Sequence, residues 1–123
     1  MYELDISRDF SAAHSLCGYN GNCSALHGHN WTVQVFVRAA ELDQIGIAVD
    51  FKKLKKELDA ILEELDHTHL NENSDFKTVN PTSEVIAKYI YSKLSAKIND
   101  GNVKVYRVRV CESPTSGASY YAD

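Results

Sequence analysis

Residues Tyr2–His14 alternate in polarity. Tyr2, Leu4, Ile6, Phe10, Ala12 and His14 share one parity, while Glu3, Asp5, Ser7 and Asp9 take most of the other. Successive side chains of a strand point to opposite faces, so this period of two predicts a strand with one buried side. Arg8 falls on the apolar parity, and an irregularity is expected near it. Residues 17–22, rich in Gly and Asn, read as a loop. Alternation resumes at His27 and His29 and runs through Trp31, Val33, Val35 and Val37, which predicts a second strand. Residues 41–46 read as a turn, and 47–49 as a brief extension of the sheet.

The period changes over 51–65. Phe51, Leu54, Leu58, Ile61, Leu62 and Leu65 recur at helical spacing, and Asp50 stands where it can accept the free N–H groups of a first turn. The charges oppose the helix dipole, with Lys52, Lys53, Lys55 and Lys56 at its start and Glu63, Glu64 and Asp66 at its end. Packing of the apolar stripe must therefore hold this helix. After a polar, loop-like stretch at 70–79, Asn80-Pro81-Thr82-Ser83-Glu84 opens a second helix, with Asn80 the candidate cap. Val85, Ile86, Tyr89, Ile90, Leu94 and Ile98 form its stripe, and Asn99-Asp100-Gly101-Asn102 ends it. Residues 103–112 are β-rich, but the apolar parity slips between Val105 and Val108, which predicts a bulge. A last short strand is expected at 118–121.

The order ββααββ predicts one α+β domain over residues 1–123, a four-stranded antiparallel sheet with both helices on one face. The other face then needs water or a partner, and self-association is one way to cover it. Length and composition agree with a single soluble domain: 123 residues, 44% hydrophobic and 24% charged. Thirteen Lys and Arg against 17 Asp and Glu, a net charge of −4, argue against broad contact with a nucleic acid backbone. No apolar run is long enough to span a membrane, and the acidic, alternating start Met1-Tyr2-Glu3-Leu4-Asp5 lacks the order of a secretory leader. Three cysteines, Cys17, Cys23 and Cys111, form no disulfide framework by spacing, so free thiols in the cytoplasm are expected.

Candidate chemistry gathers at the loop end of the sheet. His27 and His29 share a strand face with Trp31, and His14 ends the neighbouring strand on its apolar parity. If the two strands pair as a wide hairpin, three imidazoles converge. Three neutral nitrogens with an open fourth position are what a catalytic zinc needs, whereas a structural zinc closes its shell with a fourth protein ligand. Cys23 lies just ahead of two of these histidines, where a dication would favour its thiolate. Cys23 could equally be the fourth ligand of a closed site, and Cys17, in the same loop, competes for either role. At the end of the first helix, His67 beside Glu63, Glu64 and Asp66 is expected to hold a proton readily, as a donor would or as a cap of its own helix would. His69 has no separate case. Glu112, at a strand end, could accept paired hydrogen bonds from a heterocycle.

Phe10-Ser11-Ala12-Ala13-His14, the Cys-x-x-x-His-Gly-His of residues 23–29, Val49-Asp50-Phe51, Leu65-Asp66-His67, Leu70-Asn71, Asn80-Pro81-Thr82-Ser83-Glu84 and Glu112 follow one another in that order. Together they resemble the 6-pyruvoyltetrahydropterin synthase / 6-carboxytetrahydropterin synthase family of the tunnelling fold, over essentially the whole chain. The short length and the cysteine-to-histidine spacing look most like its carboxy-forming bacterial and archaeal branch, which serves queuosine biosynthesis. The resemblance implies zinc on His14, His27 and His29, Cys23 as general base, and Asp66 and His67 completing a proton relay. It implies Glu112 as the pterin anchor, with Thr82 and Ser83 helping to enclose the ring. The implied reaction is a lyase step on 7,8-dihydroneopterin triphosphate that yields 6-carboxytetrahydropterin, acetaldehyde and triphosphate. Trimers stacking into hexamers, with active sites between subunits, are implied as well. Alternatives are triphosphate elimination without side-chain cleavage, a non-catalytic zinc module closed by Cys23, and a zinc hydrolase.

Overall fold

A computed structural model describes residues 1–18 and 22–122. Of the loop expected at 17–22, Tyr19, Asn20 and Gly21 lie outside the described residues. The elements run β1 (Tyr2–His14), β2 (His27–Ala39), α1 (Phe51–Glu63), β3 (Thr68–His69), α2 (Ser83–Ile98), β4 (Val103–Ser113) and β5 (Ser116–Tyr121). Two single 3-10 turns, Leu70–Glu72 and Ser74–Phe76, fill the polar stretch before α2. The sheet order is β3-β1-β2-β4-β5. The α+β expectation holds with one correction: the sheet has five strands and is mixed, because β3 pairs parallel to β1 at Ala12 and Ala13. Two residues carry no periodicity, so this strand had no signal to read.

β1 and β2 pair without interruption from Tyr2↔Ala39 to His14↔His27. The irregularity expected at Arg8 is absent. Its guanidinium lies 2.9 Å from Asp59 of α1, so a long stem lies along the helix while the charge stays at the surface. The predicted bulge is present: Phe36 pairs with Arg107 and Val37 with Val105, leaving Tyr106 as the extra residue of β4. It returns Val103, Val105, Val108 and Val110 to a single buried face. Residues 47–49 do not extend the sheet. Asp43 Oδ1 accepts from the backbone of Ile45 and Ile47, both at 2.9 Å, and closes the segment into a side-chain-capped turn.

Both helices pack on one face, where Phe10, Trp31, Val33 and Val35 meet Leu54, Leu58, Ile86 and Ile90 in one core. Asp50 caps α1 as expected, accepting from Lys52 N at 2.8 Å. Phe51 departs from the predicted stripe and is exposed, whereas Leu65, beyond the last turn, is buried. α2 is capped by Thr82 rather than Asn80: Thr82 has extended backbone and its hydroxyl accepts from Val85 N at 3.2 Å. Asn80 stands too far ahead of the helix and is used elsewhere. Among the described residues, no helix is long and apolar enough to cross a membrane.

Candidate active site

The strand register brings the three histidines together. His14 stands opposite His27, and His29 opposite Ala12, all on the helix-side face. Ring centroids lie 4.6 Å apart for His14 and His27, 5.2 Å for His14 and His29, and 4.9 Å for His27 and His29. One nitrogen of each lies within 4.8 Å of the others, the spacing of ligands to a shared metal ion. Trp31 is fully buried beneath them and packs edge-on against His14 and His29 at 5.0 and 5.1 Å. Its indole N–H donates to Ala12 O at 3.1 Å, which locks that wall.

These residues fit a metal. His14 Nδ1 lies 2.8 Å from Pro81 O, and His27 Nδ1 lies 2.8 Å from Ala25 O. A ring whose Nδ1–H is given to a carbonyl presents a bare Nε2 lone pair, the arrangement that orients metal-binding histidines. The Nε2 atoms of His14 and His29 are buried with no hydrogen-bond partner, a costly state that a bound cation would relieve. Burial holds the His14 pKa below the usual histidine value, and the neighbouring His27 and His29 lower it further against the raising effect of the Pro81 contact, so the ring favours the neutral, ligating form. Among the described residues, only these three donors converge, which leaves coordination positions for an outside ligand.

Glu112 also comes to this end of the sheet. Its Oε2 lies 3.7 Å from His29 Nε2, and the carboxylate is partly open to solvent. Thr82 and Ser83 follow Pro81, whose carbonyl backs His14, so both stand beside the centre and both are half-buried. The Thr82 hydroxyl is committed to capping α2.

The cysteines correct the expectation of free thiols. Cys17 and Cys23 are joined in a disulfide, and only Cys111, which is buried, is free. Leu16 N donates to Ser24 Oγ at 2.9 Å, Ser24 N to Leu16 O at 2.8 Å, and Gly18 N to Asn22 O at 2.8 Å. This small antiparallel ladder sets Cys17 across from Cys23. Sequence spacing could not show it, because the pairing depends on the register of the loop. In this state Cys23 has neither a thiolate to remove a proton nor a sulfur available as a fourth ligand.

Asp66 and His67 stand at the edge of β1. Asp66 Oδ1 accepts from Ser11 N at 2.8 Å, and His67 N donates to Ser11 O, so this corner is fastened to β1 near the end that carries His14. The Ser11 N–H, with the adjacent His67 ring, holds the Asp66 carboxyl below the usual aspartate range. His67 Nδ1 lies 3.0 Å from Asp66 Oδ1, and its backbone is left-handed at φ 57°. That conformation is unfavourable for a residue with a Cβ and is typically kept where a side chain must be aimed. The ring is 81% exposed and stands at an open cleft of about 470 Å³ that Ser11, Ala13, His29 and Asn30 also line. Ser11 and Ala13 belong to the parity opposite His14. The pair stands at the edge of β1 that β3 extends, and the relay expected with Cys23 is not assembled by the contacts that hold it. His69 pairs with Glu72 at 3.4 Å and is not one of the three converging histidines.

Sequence reasoning missed the outer layer. Pro81 O, Asn71 and Asn80 hold the chain around His14 and the cysteine arm, yet Asn80-Pro81 pointed only to a helix start and Asn71 only to a polar loop.

An α+β domain with three histidines placed to hold a metal at one end of its sheet defines the class to which this chain is compared. The model of the family "6-pyruvoyl tetrahydropterin synthase" matches residues 3–123. The chain is 37% identical to 6-carboxy-5,6,7,8-tetrahydropterin synthase of Bacillus subtilis, over 97% of this chain and 84% of that protein. It is 36% identical to the protein of the same name in Synechocystis, over 92% and 88%. The structure of 6-pyruvoyl tetrahydropterin synthase from Caenorhabditis elegans superposes with a TM-score of 0.86 at 31% identity, covering 99% of this chain and 96% of that one. The chain belongs to the 6-pyruvoyl tetrahydropterin synthase family, as its motifs had indicated, and is a lyase-type pterin enzyme.

Proposed function

We propose that this enzyme converts 7,8-dihydroneopterin triphosphate to 6-carboxy-5,6,7,8-tetrahydropterin, with release of acetaldehyde and triphosphate, in queuosine biosynthesis. The observation that carries the reading is the His14–His27–His29 centre, with two buried, unpartnered Nε2 atoms and Glu112 beside it. The relatives named for this activity support the choice of product. Zinc held by the three histidines would supply Lewis-acid polarisation of the substrate's side-chain oxygens.

The chain's own residues do the rest. Glu112 accepts two hydrogen bonds from the amino and ring N–H groups of the pterin, a charge-assisted contact that fixes the ring. Ser83 and the Thr82 methyl flank it. Cys23, once reduced, is the base that takes a proton from the substrate side chain. His67, held by Asp66, returns a proton to the ring. Because Asp66 and His67 are held at the edge of β1 by contacts that include neither Cys23 nor Glu112, we assign them to the site of a neighbouring copy, in trimers that stack into hexamers. A cytoplasmic setting, with its reducing thiol pool, is part of this reading.

The experiment is incubation of the reduced, zinc-loaded protein with dihydroneopterin triphosphate and mass analysis of the pterin. A 6-carboxy product with acetaldehyde supports the reading. Intact triphosphate elimination without acetaldehyde would instead make the enzyme a pyruvoyl-forming synthase, the activity named for its structural relative. A closed, non-catalytic zinc site would need reduced Cys23 as a fourth donor, and Cys23→Ala would then lose its zinc along with any turnover.

A further inference from the structure

Beyond β1, the chain is held by side chains where a neighbouring strand would stand. β3 pairs with β1 only as far as Ala13. Next, Asn71 Oδ1 accepts from Ser15 N at 2.9 Å while its Nδ2 donates to Ser15 O at 2.8 Å. Two residues on, Asn80 Oδ1 accepts from Cys17 N at 2.9 Å and its Nδ2 donates to Cys17 O at 2.8 Å. On the opposite edge, Leu16 and Gly18 bond to Ser24 and Asn22 of the returning arm. Residues 15–18 thus form a segment bonded along both edges, with an isolated bridge at Cys17. Odd positions meet two carboxamides; even positions meet the arm that carries Cys23.

We infer that Asn80 is a positioning residue for Cys23, closing on both main-chain groups of Cys17 and so setting where the thiol arm stands during pterin turnover. The inference rests on the reading of Cys23 as base. The chemistry requires asparagine in particular, because a carboxamide sets one acceptor beside one donor and so reproduces a peptide edge. Aspartate of the same size loses the donor and turns a charged oxygen toward Cys17 O. Glutamine adds a methylene and cannot close the same ring. Alanine leaves Cys17 tied only through its partner arm. His14 is held separately, through Pro81 O, so loss of the Asn80 clip leaves the histidine centre in place.

Asn80→Ala and Asn80→Asp, prepared as reduced, zinc-loaded protein, test this with three readouts. These are zinc per chain, the rate of Cys23 alkylation by iodoacetamide located by peptide mass, and kcat and KM for dihydroneopterin triphosphate. Zinc content is expected to stay at the wild-type level. The alkylation rate should change at least about threefold, and kcat should fall about 10- to 100-fold with KM within about twofold, since misplacement of a reacting group acts on the chemical step. Wild-type alkylation and kcat in either folded variant would overturn the inference. So would zinc loss in step with activity, or failure of both variants to fold, because Asn80 would then serve the centre or the fold. Reduced wild type that holds zinc but turns over no pterin would instead sink the proposed reaction, while alkylation would still decide the role of Asn80.

Discussion

The three histidines and the cysteine arm are close in sequence, yet different physics places them. His14, His27 and His29 stand on paired strands, where register and parity alone put three rings on one face, over a fully buried Trp31. The arm at 15–18 and 22–24 is exposed apart from Ser15, and it is held by two asparagine side chains, a short ladder and a disulfide. A centre built on strands is rigid before any ligand arrives. An arm built on side-chain clips depends on a few hydrogen bonds and on its redox state.

That contrast can be broken at either end. The largest effect is expected from His29→Ala. Removing one of three donors should lower zinc affinity by more than the roughly 10- to 100-fold typical of losing an outer partner, and turnover should fall to background. Zinc titration checks it; a variant that binds zinc as the wild type does would mean the rings are core residues only. Cys23→Ala should keep its zinc and lose about 10²- to 10⁴-fold in kcat, the usual contribution of a positioned base. The same contrast exists without mutation: oxidised protein should bind zinc normally yet turn over slowly, and a dithiol should restore turnover by thiol–disulfide exchange. Equal activity in both redox states would remove Cys23 from the chemistry.

Smaller effects sharpen the picture around the centre. Glu112→Gln should raise KM about tenfold, the loss of a charge-assisted hydrogen bond, with zinc unaffected. Thr82→Ala should cost about 1 kcal/mol of stability by uncapping α2, read as a lower melting temperature with zinc content intact. The smallest effect lies at the edge of β1. The folded Asp66 carboxyl titrates below its unfolded value of 3.8, so its stabilising contribution is complete above that pH. It is lost as pH falls from there through the lowered folded value. Denaturation at a series of acid pH values should show this dependence in the wild type, and Asp66→Asn should flatten it.

Much of this was legible along the chain. Alternation in Tyr2–His14 and from His27 onward placed both long strands and the common face of the three histidines, and the slip between Val105 and Val108 marked a real bulge. The family motifs led to the right family. What escaped was short or non-local. β3 is two residues long. Asn80 resembled a helix cap because Asn before Pro usually is one, yet its carboxamide finds Cys17, 63 positions away in sequence. Cys17 and Cys23 looked unpaired because six residues of spacing say nothing of how a loop folds back.

The polarity pattern alone determined the order of the long elements, the buried face and the parity of the candidate ligands, since these follow from local geometry repeated at periods of two and 3.6 residues. Tertiary structure decided which nitrogen each histidine presents, whether Cys23 carries a thiol, and where on the edge of β1 Asp66 and His67 are held. Those are matters of contact between residues far apart in the chain, and no local period encodes them.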